Sequence, residues 1–362
     1  MRYSAVDGER FEGGNVVIDE RERLAKIMTP VAPPRLIDGV YTDDQYERIL
    51  AVIKAGGPWP SITAHHFTSV EQLIATSTGI VPANHGLTLD DLATAHYRGF
   101  LAENSVCLHP QLEDVFYNSG FLAQAKSYWG APYAKPTLML FNICGAHQSG
   151  LNPHIDATTF RGIRIENSPV WLQNIMAKSG LFTDYLIKMA QIITWWYRGE
   201  AGTFTYWPDG PLRAPERLET PIWNSGVVVQ NELMFHRGDP VGAPEDRVIP
   251  GLKHRSKFSY RANHDDWVIT TDDDVIRTYH PDQIRLLVHW NAEIYQDLDE
   301  LKKVMDHSDD LSHDQAFDVL LRDLRRRGVE VDTPTDPLND DNFIRALLTT
   351  YTIKPEIDWL TP

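Results

Sequence analysis

The sequence predicts a mainly β fold with helical additions, a double-stranded β-helix (jelly roll) flanked by N- and C-terminal helices. Three observations carry this. From about residue 136, apolar runs rich in β-branched and aromatic residues replace helical spacing, as in Thr137-Leu-Met-Leu-Phe-Asn-Ile143 and Gly226-Val-Val-Val229. Turn residues separate the runs, as in Pro208-Asp-Gly-Pro211. Helical patterns lie on both sides of this region.

Residues 1–34 are polar and then proline-bearing (Pro30, Pro33, Pro34), and read as an N-terminal arm. Residues 35–41 form a short strand and turn. An amphipathic helix follows over 42–54: Thr42 caps it, Asp43 and Asp44 suit its positive end, and Tyr46, Ile49, Leu50 and Ile53 make one stripe. Residues 88–128 give further helical segments. After the strand at 137–143 come the loop Gly145–Pro153, a strand through residues 154–156, and another over Thr159–Ile165. Leu172, Ile175, Met176, Leu186, Ile187, Ala190 and Ile193 recur at helical spacing, so 169–197 reads as a helical insertion, a lid or subunit contact. Strands are expected again at 202–207, 220–236 and 254–262, and helices at 281–306, 313–327 and 341–351. The division is an arm at 1–34, a jelly-roll domain at 35–270 and an acidic helical extension at 271–362.

The 34 basic and 50 acidic residues leave a net charge of −16, which repels phosphate backbones and argues against a nucleic-acid partner. Asp265, Asp266, Asp272, Asp273 and Asp274 cluster and read as a solvated surface. Cys107 and Cys144 are too few for a disulfide framework and form no CxxC pair. The first residues have no apolar core of a secretory signal, and no stretch approaches the roughly 18 apolar residues of a membrane span. The expectation is a soluble cytoplasmic protein, with no membrane partner, acting on a small molecule. The Trp195-Trp196-Tyr197 cluster needs a cover, either its own sheet or the second chain of a homodimer.

His154-Ile155-Asp156 is an H-x-D triplet, and His236, much further along the chain, closes the Val-rich run. On a strand, residues i and i+2 share a side, so His154 and Asp156 reach one metal together. Two imidazoles and one carboxylate favour Fe(II) with open coordination positions. Zinc is the second candidate, although nothing matches an HExxH helix. Any one of the 14 histidines is more often structural; their joint setting favours a metal site of His154, Asp156 and His236, the catalytic centre.

A 2-oxoglutarate co-substrate would need a buried cation for its distal carboxylate, and guanidinium binds carboxylate in a two-pronged manner. His254-Arg-Ser-Lys-Phe-Ser-Tyr-Arg261 places Arg255, Lys257 and Arg261 on one strand face. The alternative for that face is an exposed basic edge. Arg255, supported or replaced by Lys257, is the expected anchor, and Arg247 competes because it follows His236 more closely in the chain.

This order of elements resembles the Fe(II)/2-oxoglutarate-dependent dioxygenases, most of all the phytanoyl-CoA dioxygenase-like branch, over roughly residues 35–265. Asn152–Gly162 is similar to that branch's metal strand, Gly199–Pro211 to its Gly-rich strand and turn, and Asn224–Gly238 to the strand before its second metal histidine. The resemblance implies a cupin-like jelly roll that uses Fe(II), 2-oxoglutarate and O2 and releases succinate and CO2. The family's anchor arginine follows the distal histidine at a short spacing, which Arg247 matches by count, and sits on the final strand, which Arg255 matches by place. Because Asp156 is retained, the resemblance implies hydroxylation, desaturation or ring formation and not halogenation. Phe160, Tyr206 and Trp207 would line the substrate space or serve as core aromatics. The competing readings are a cupin-like metalloenzyme that does not use 2-oxoglutarate and a jelly-roll binding protein without catalysis.

Overall fold

A computed structural model describes residues 19–76, 86–148, 152–353 and 355; positions 1–18 of the expected arm lie outside these. Its first part holds α1 (Glu20–Ile27), β1 (Arg35–Asp38), α2 (Asp43–Ala55), β2 (Trp59–Pro60), α3 (Ile62–His66) and α4 (Val70–Thr76). Thr42 caps α2 in a reciprocal box with Gln45, and Ile49, Val52 and Ile53 are its buried stripe. Next come β3 (Tyr97–Glu103), β4 (Val106–Cys107), α5 (Glu113–Phe116), α6 (Ser119–Trp129) and β5 (Tyr133–Cys144). The middle of the chain forms α7 (Val170–Ser179), β6 (Lys188–Tyr197), β7 (Phe204–Tyr206), β8 (Glu216–Leu218), β9 (Ile222–Val229) and β10 (His236–Gly238). It closes with β11 (Lys257–Arg261), β12 (Asp266–Thr271), β13 (Asp274–Tyr279), β14 (Arg285–Tyr295), α8 (Leu298–Asp306), α9 (His313–Arg326) and α10 (Asp341–Thr350).

The strands make a jelly roll. The larger sheet runs β1-β9-β6-β14-β5-β3-β4, and the smaller runs β10-β7-β8. His154 joins the free side of β10 through a bridge to His236, so the H-x-D segment is a fourth, minimal strand of the smaller sheet. The chain thus crosses between the sheets, from β5 to the H-x-D segment, to β6, to β7 and β8, to β9, to β10 and to β14. Ile193, Trp195, Val227 and Val229 of the larger sheet pack between the layers against Phe204, Tyr206 and Met234. The other face of the larger sheet, with Trp196, Val288 and Trp290, packs under α2, α5 and α6. A second cluster joins α1, α7, α9 and α10 around Ile155, Trp207 and Phe235. Among the described residues no helix is long and apolar enough to cross a membrane.

Several expectations are corrected. Residues 169–197 are not one helical insertion: α7 occupies 170–179, and 188–197 is β6, paired to β14 on one side and β9 on the other. A strand covered on both faces is apolar throughout, so its sequence matches a helical template as well as an extended one. The expected helix at 281–306 is likewise a strand, β14, followed by the shorter α8. As β14 is a central strand, the jelly roll extends to residue 295 and does not end at 270. Trp195, Trp196 and Tyr197 are buried in this chain's own core and need no second chain to cover them. Residues 159–165 form no strand, since Phe160 and Ile163 bridge each other across a turn. The strand near 254–262 is real, as β11, but belongs to a separate sheet, β13-β12-β11-β2. Of the acidic cluster, Asp265, Asp272 and Asp273 take positive φ where that sheet's strands turn.

Candidate metal centre

His154 and His236 face each other as a hydrogen-bonded pair: each backbone N–H donates to the other's carbonyl, at 3.0 and 2.9 Å. Two residues on, the Asp156 N–H donates to the carbonyl of Asn231 at 3.1 Å. This ladder places the three side chains together, with one donor atom from each lying within 4.8 Å of the others. His236 Nε2 is 3.5 Å from Asp156 Oδ1.

Both imidazoles are oriented alike. Nδ1 of His154 lies 2.9 Å from the Asn152 carbonyl, and Nδ1 of His236 lies 3.1 Å from the Met234 carbonyl. A carbonyl accepts only, so each Nδ1 carries a proton directed away from the centre, and each Nε2 is the nitrogen left to face it. Asp156 Oδ2 is buried without a partner. Burial opposes the charge on Asp156, yet the imidazoles of His236, His289 and His154 hold its carboxyl well below the usual range. Burial and His236 push His154 down to about 4, so it is neutral. Two imidazoles and a carboxylate with an unpartnered oxygen fit an octahedral divalent cation held on one face.

The centre opens on a cavity between the sheets. Its walls include Ile193, Trp195, Phe204 and Leu287, and its polar groups include His96, His147, His289 and Asn142. Burial pushes His147 and His289 down to about 4, so these are neutral too. Phe160 and Trp207 do not line it; both are buried in the helical cluster. Tyr206 packs between the sheets and donates its hydroxyl to Glu216.

The basic candidates lie elsewhere. Arg255 is exposed and binds Asp272 through Nε and Nη2, at 2.7 and 2.5 Å. Lys257 is exposed on β11, and Arg261 pairs with Asp266 at 2.6 Å. The basic face of β11 is therefore a solvated surface balanced by its acidic hairpin partners. Arg247 donates to the Gly242 carbonyl at 2.9 Å and does not line the cavity.

Two other arginines do line it. Arg285, at the start of β14, is 3% exposed; its Nε donates to the Gly202 carbonyl at 3.1 Å, and its guanidinium carbon lies 6.0 Å from the Trp195 ring centre. Gly202 has φ +76°, a conformation disfavoured for other residues, and a side chain there would crowd Tyr197 and Val241. Arg98 on β3 donates to Asn142 at 2.9 Å and lies 2.7 Å from His66 Nε2. Among the described residues neither makes an ion pair within salt-bridge distance. The sequence does carry a signal for Arg285. Leu286, Val288, Trp290, Ala292 and Ile294 alternate with Arg285, Leu287, His289, Asn291 and Glu293, the period of a strand with one apolar and one polar face.

No family model and no curated protein matches the sequence. Solved structures similar in part include an oxidoreductase of the 2OG-Fe(II) oxygenase family from Burkholderia pseudomallei, with TM-score 0.39 and 12% identity over 79% of this chain and 93% of that one. A prolyl-4-hydroxylase from Pseudomonas putida gives TM-score 0.35 and 9% identity, over 76% of this chain and 100% of that one. HygX from Streptomyces hygroscopicus, solved with nickel and 2-oxoglutarate bound, gives TM-score 0.33 and 9% identity, over 76% and 87%.

Proposed function

We propose that this chain is a non-haem Fe(II)- and 2-oxoglutarate-dependent oxygenase that oxidises a small organic molecule. One observation carries the reading: His154, Asp156 and His236 converge on a cavity that also holds Arg285, a buried guanidinium that, among the described residues, has no carboxylate within salt-bridge distance. The triad would hold Fe(II), which with 2-oxoglutarate and O2 supplies oxidation of a C–H bond, releasing succinate and CO2. A buried cation with no carboxylate in direct contact is costly unless an anion meets it, and a dicarboxylate supplies one.

We assign the distal-carboxylate anchor to Arg285 in place of Arg255, Lys257 or Arg247. The Gly202 carbonyl fixes its Nε, which leaves the two Nη groups for a two-pronged bond. The electrostatic neighbours of Arg285 are Cys144, Tyr197 and Asp239, whereas Asp156 acts on Arg98. Arg285 therefore sits away from the metal end, as the far carboxylate of a five-carbon diacid requires. Ile193, Trp195, Phe204 and Leu287 exclude water from the space between and strengthen these charge interactions.

The test is succinate formation from 2-oxoglutarate with Fe(II), O2 and a panel of candidate substrates. Activity that disappears in Asp156→Ala, with a raised 2-oxoglutarate requirement in Arg285→Gln, is the expected result. Metal-dependent turnover indifferent to 2-oxoglutarate would instead favour a cupin-like enzyme of another kind.

A further inference from the structure

The cavity holds a second cation that the reading above leaves unused. Arg98 lies directly across from Asn142 on β5, and Asn142 is paired in turn with Leu287 on β14. Residues opposite one another in an antiparallel sheet share a face, so Arg98, Asn142 and Leu287 form one inward row. Arg285 lies one inward position further along β14. Two strand spacings and two residues of rise separate the Cα atoms of the arginines by roughly 12 Å. A dicarboxylate that binds Arg285 through one carboxylate and the metal through the other has no third carboxylate for Arg98.

Asn142 and His66 hold Arg98 in place through Nε and Nη1. Among the described residues its Nη2 donates to nothing. Asp239, the other carboxylate beside the cavity, is already bound to Arg237 at 2.6 Å and to the hydroxyl of Thr205, also at 2.6 Å. With a divalent metal and a dianionic co-substrate in place, Asp156, Arg98 and Arg285 leave the cavity with one uncompensated positive charge.

We infer that Arg98 recognises a carboxylate on the primary substrate, so that the enzyme oxidises a small organic acid. This rests on the oxygenase reading for the assignment of Arg285, but the anion site at Arg98 is a separate structural claim. The planar guanidinium, fixed at Nε and open at Nη2, suits a carboxylate approaching from the cavity. Its place on the metal side puts the carbons near that carboxylate closest to the centre. Arg98 acts here as a specificity-determining residue.

The experiment uses full-length protein loaded with Ni(II), which does not turn over, and measures binding by calorimetry with and without saturating 2-oxoglutarate. The probes are phenylacetate and hexanoate, each against its matched amide. In wild type with 2-oxoglutarate, each acid is expected to bind at least about tenfold more tightly than its amide. That preference should vanish in Arg98→Gln, persist in part in Arg98→Lys, and persist in Arg285→Gln, which instead loses 2-oxoglutarate. If Arg98→Gln does not fold, by circular dichroism, a loss of preference in Arg98→Lys relative to wild type decides the matter. Equal binding of acid and amide by wild type, or an unchanged preference in folded Arg98→Gln, overturns the inference. So does a loss of 2-oxoglutarate in place of acid in that variant. Absence of 2-oxoglutarate binding by wild type would remove the oxygenase reading; the acid preference in Arg285→Gln would still report on Arg98.

Discussion

His236 Nε2 lies 3.5 Å from Asp156 Oδ1, although strands β6, β7, β8 and β9 separate the two in the chain. The backbone pairing of His154 with His236 holds them there, so the candidate metal centre is built on the sheet itself. Placing the donors costs no further loop ordering, and removing a donor side chain leaves the pairing that supports the fold.

Replacing His154, Asp156 or His236 with Ala is expected to lower metal affinity and turnover by at least about 100-fold while the protein stays folded. Metal content after desalting, read beside circular dichroism, checks this. A variant that keeps its metal and its rate removes that residue from the centre.

The two candidate anchors separate cleanly. Arg285→Gln should raise the 2-oxoglutarate requirement about 30-fold or more, because losing one partner of a buried charge pair costs about 2–5 kcal/mol. Arg255→Ala should leave it unchanged, since Arg255 is exposed and already bound to Asp272. The KM for 2-oxoglutarate in both variants tests the assignment; the opposite pattern returns the role to Arg255.

Acid should destabilise the metal-free protein. Burial pushes the imidazoles of His147 and His289 down to about 4, whereas an unfolded chain titrates them near 6.5. Above about pH 6.5 neither state is protonated and this contribution is constant. Between about 6.5 and 4 only the unfolded state takes up these protons, so stability falls as pH falls, by up to about 1.4 kcal/mol per pH unit for each imidazole. Urea unfolding between pH 4.5 and 7 should show this slope, reduced by about one proton in His147→Gln. Parallel slopes for the two proteins would refute a neutral His147.

Gly226 on β9 has no room for a side chain, since a Cβ would run into the backbone carbonyl of Ile193 on β6. Gly226→Ala should therefore cost about 1–3 kcal/mol or more in urea unfolding, because backbone within a sheet cannot yield as a side chain can. Stability equal to wild type would mean that the two strands part easily at this point.

Much of the fold was legible. Strand β1, helix α2 with its Thr42 cap, strands β5 and β9 and the turn after β7 follow from alternation, capping residues and turn chemistry, all short-range effects. Strand β6 was not, because a strand covered on both faces has no polar side to betray its period. Strand β14 does alternate, but His289, Asn291 and Glu293 make its inward face look like the solvent side of a helix.

The sequence by itself singled out His154, Asp156 and His236, the donors proposed here as metal ligands. Imidazole and carboxylate donors two apart on an extended segment must project together, and a histidine closing an apolar strand is a local pattern. Only the tertiary structure showed which arginines line the cavity. Arg255, Arg247, Arg98 and Arg285 are chemically identical, and what distinguishes them is desolvation and the nearest carboxylate. Arg255 meets Asp272 in water, whereas Arg285 meets the Gly202 carbonyl and the Trp195 ring, both far back along the chain. A charge acquires its role from neighbours that only the closed sheets bring to it.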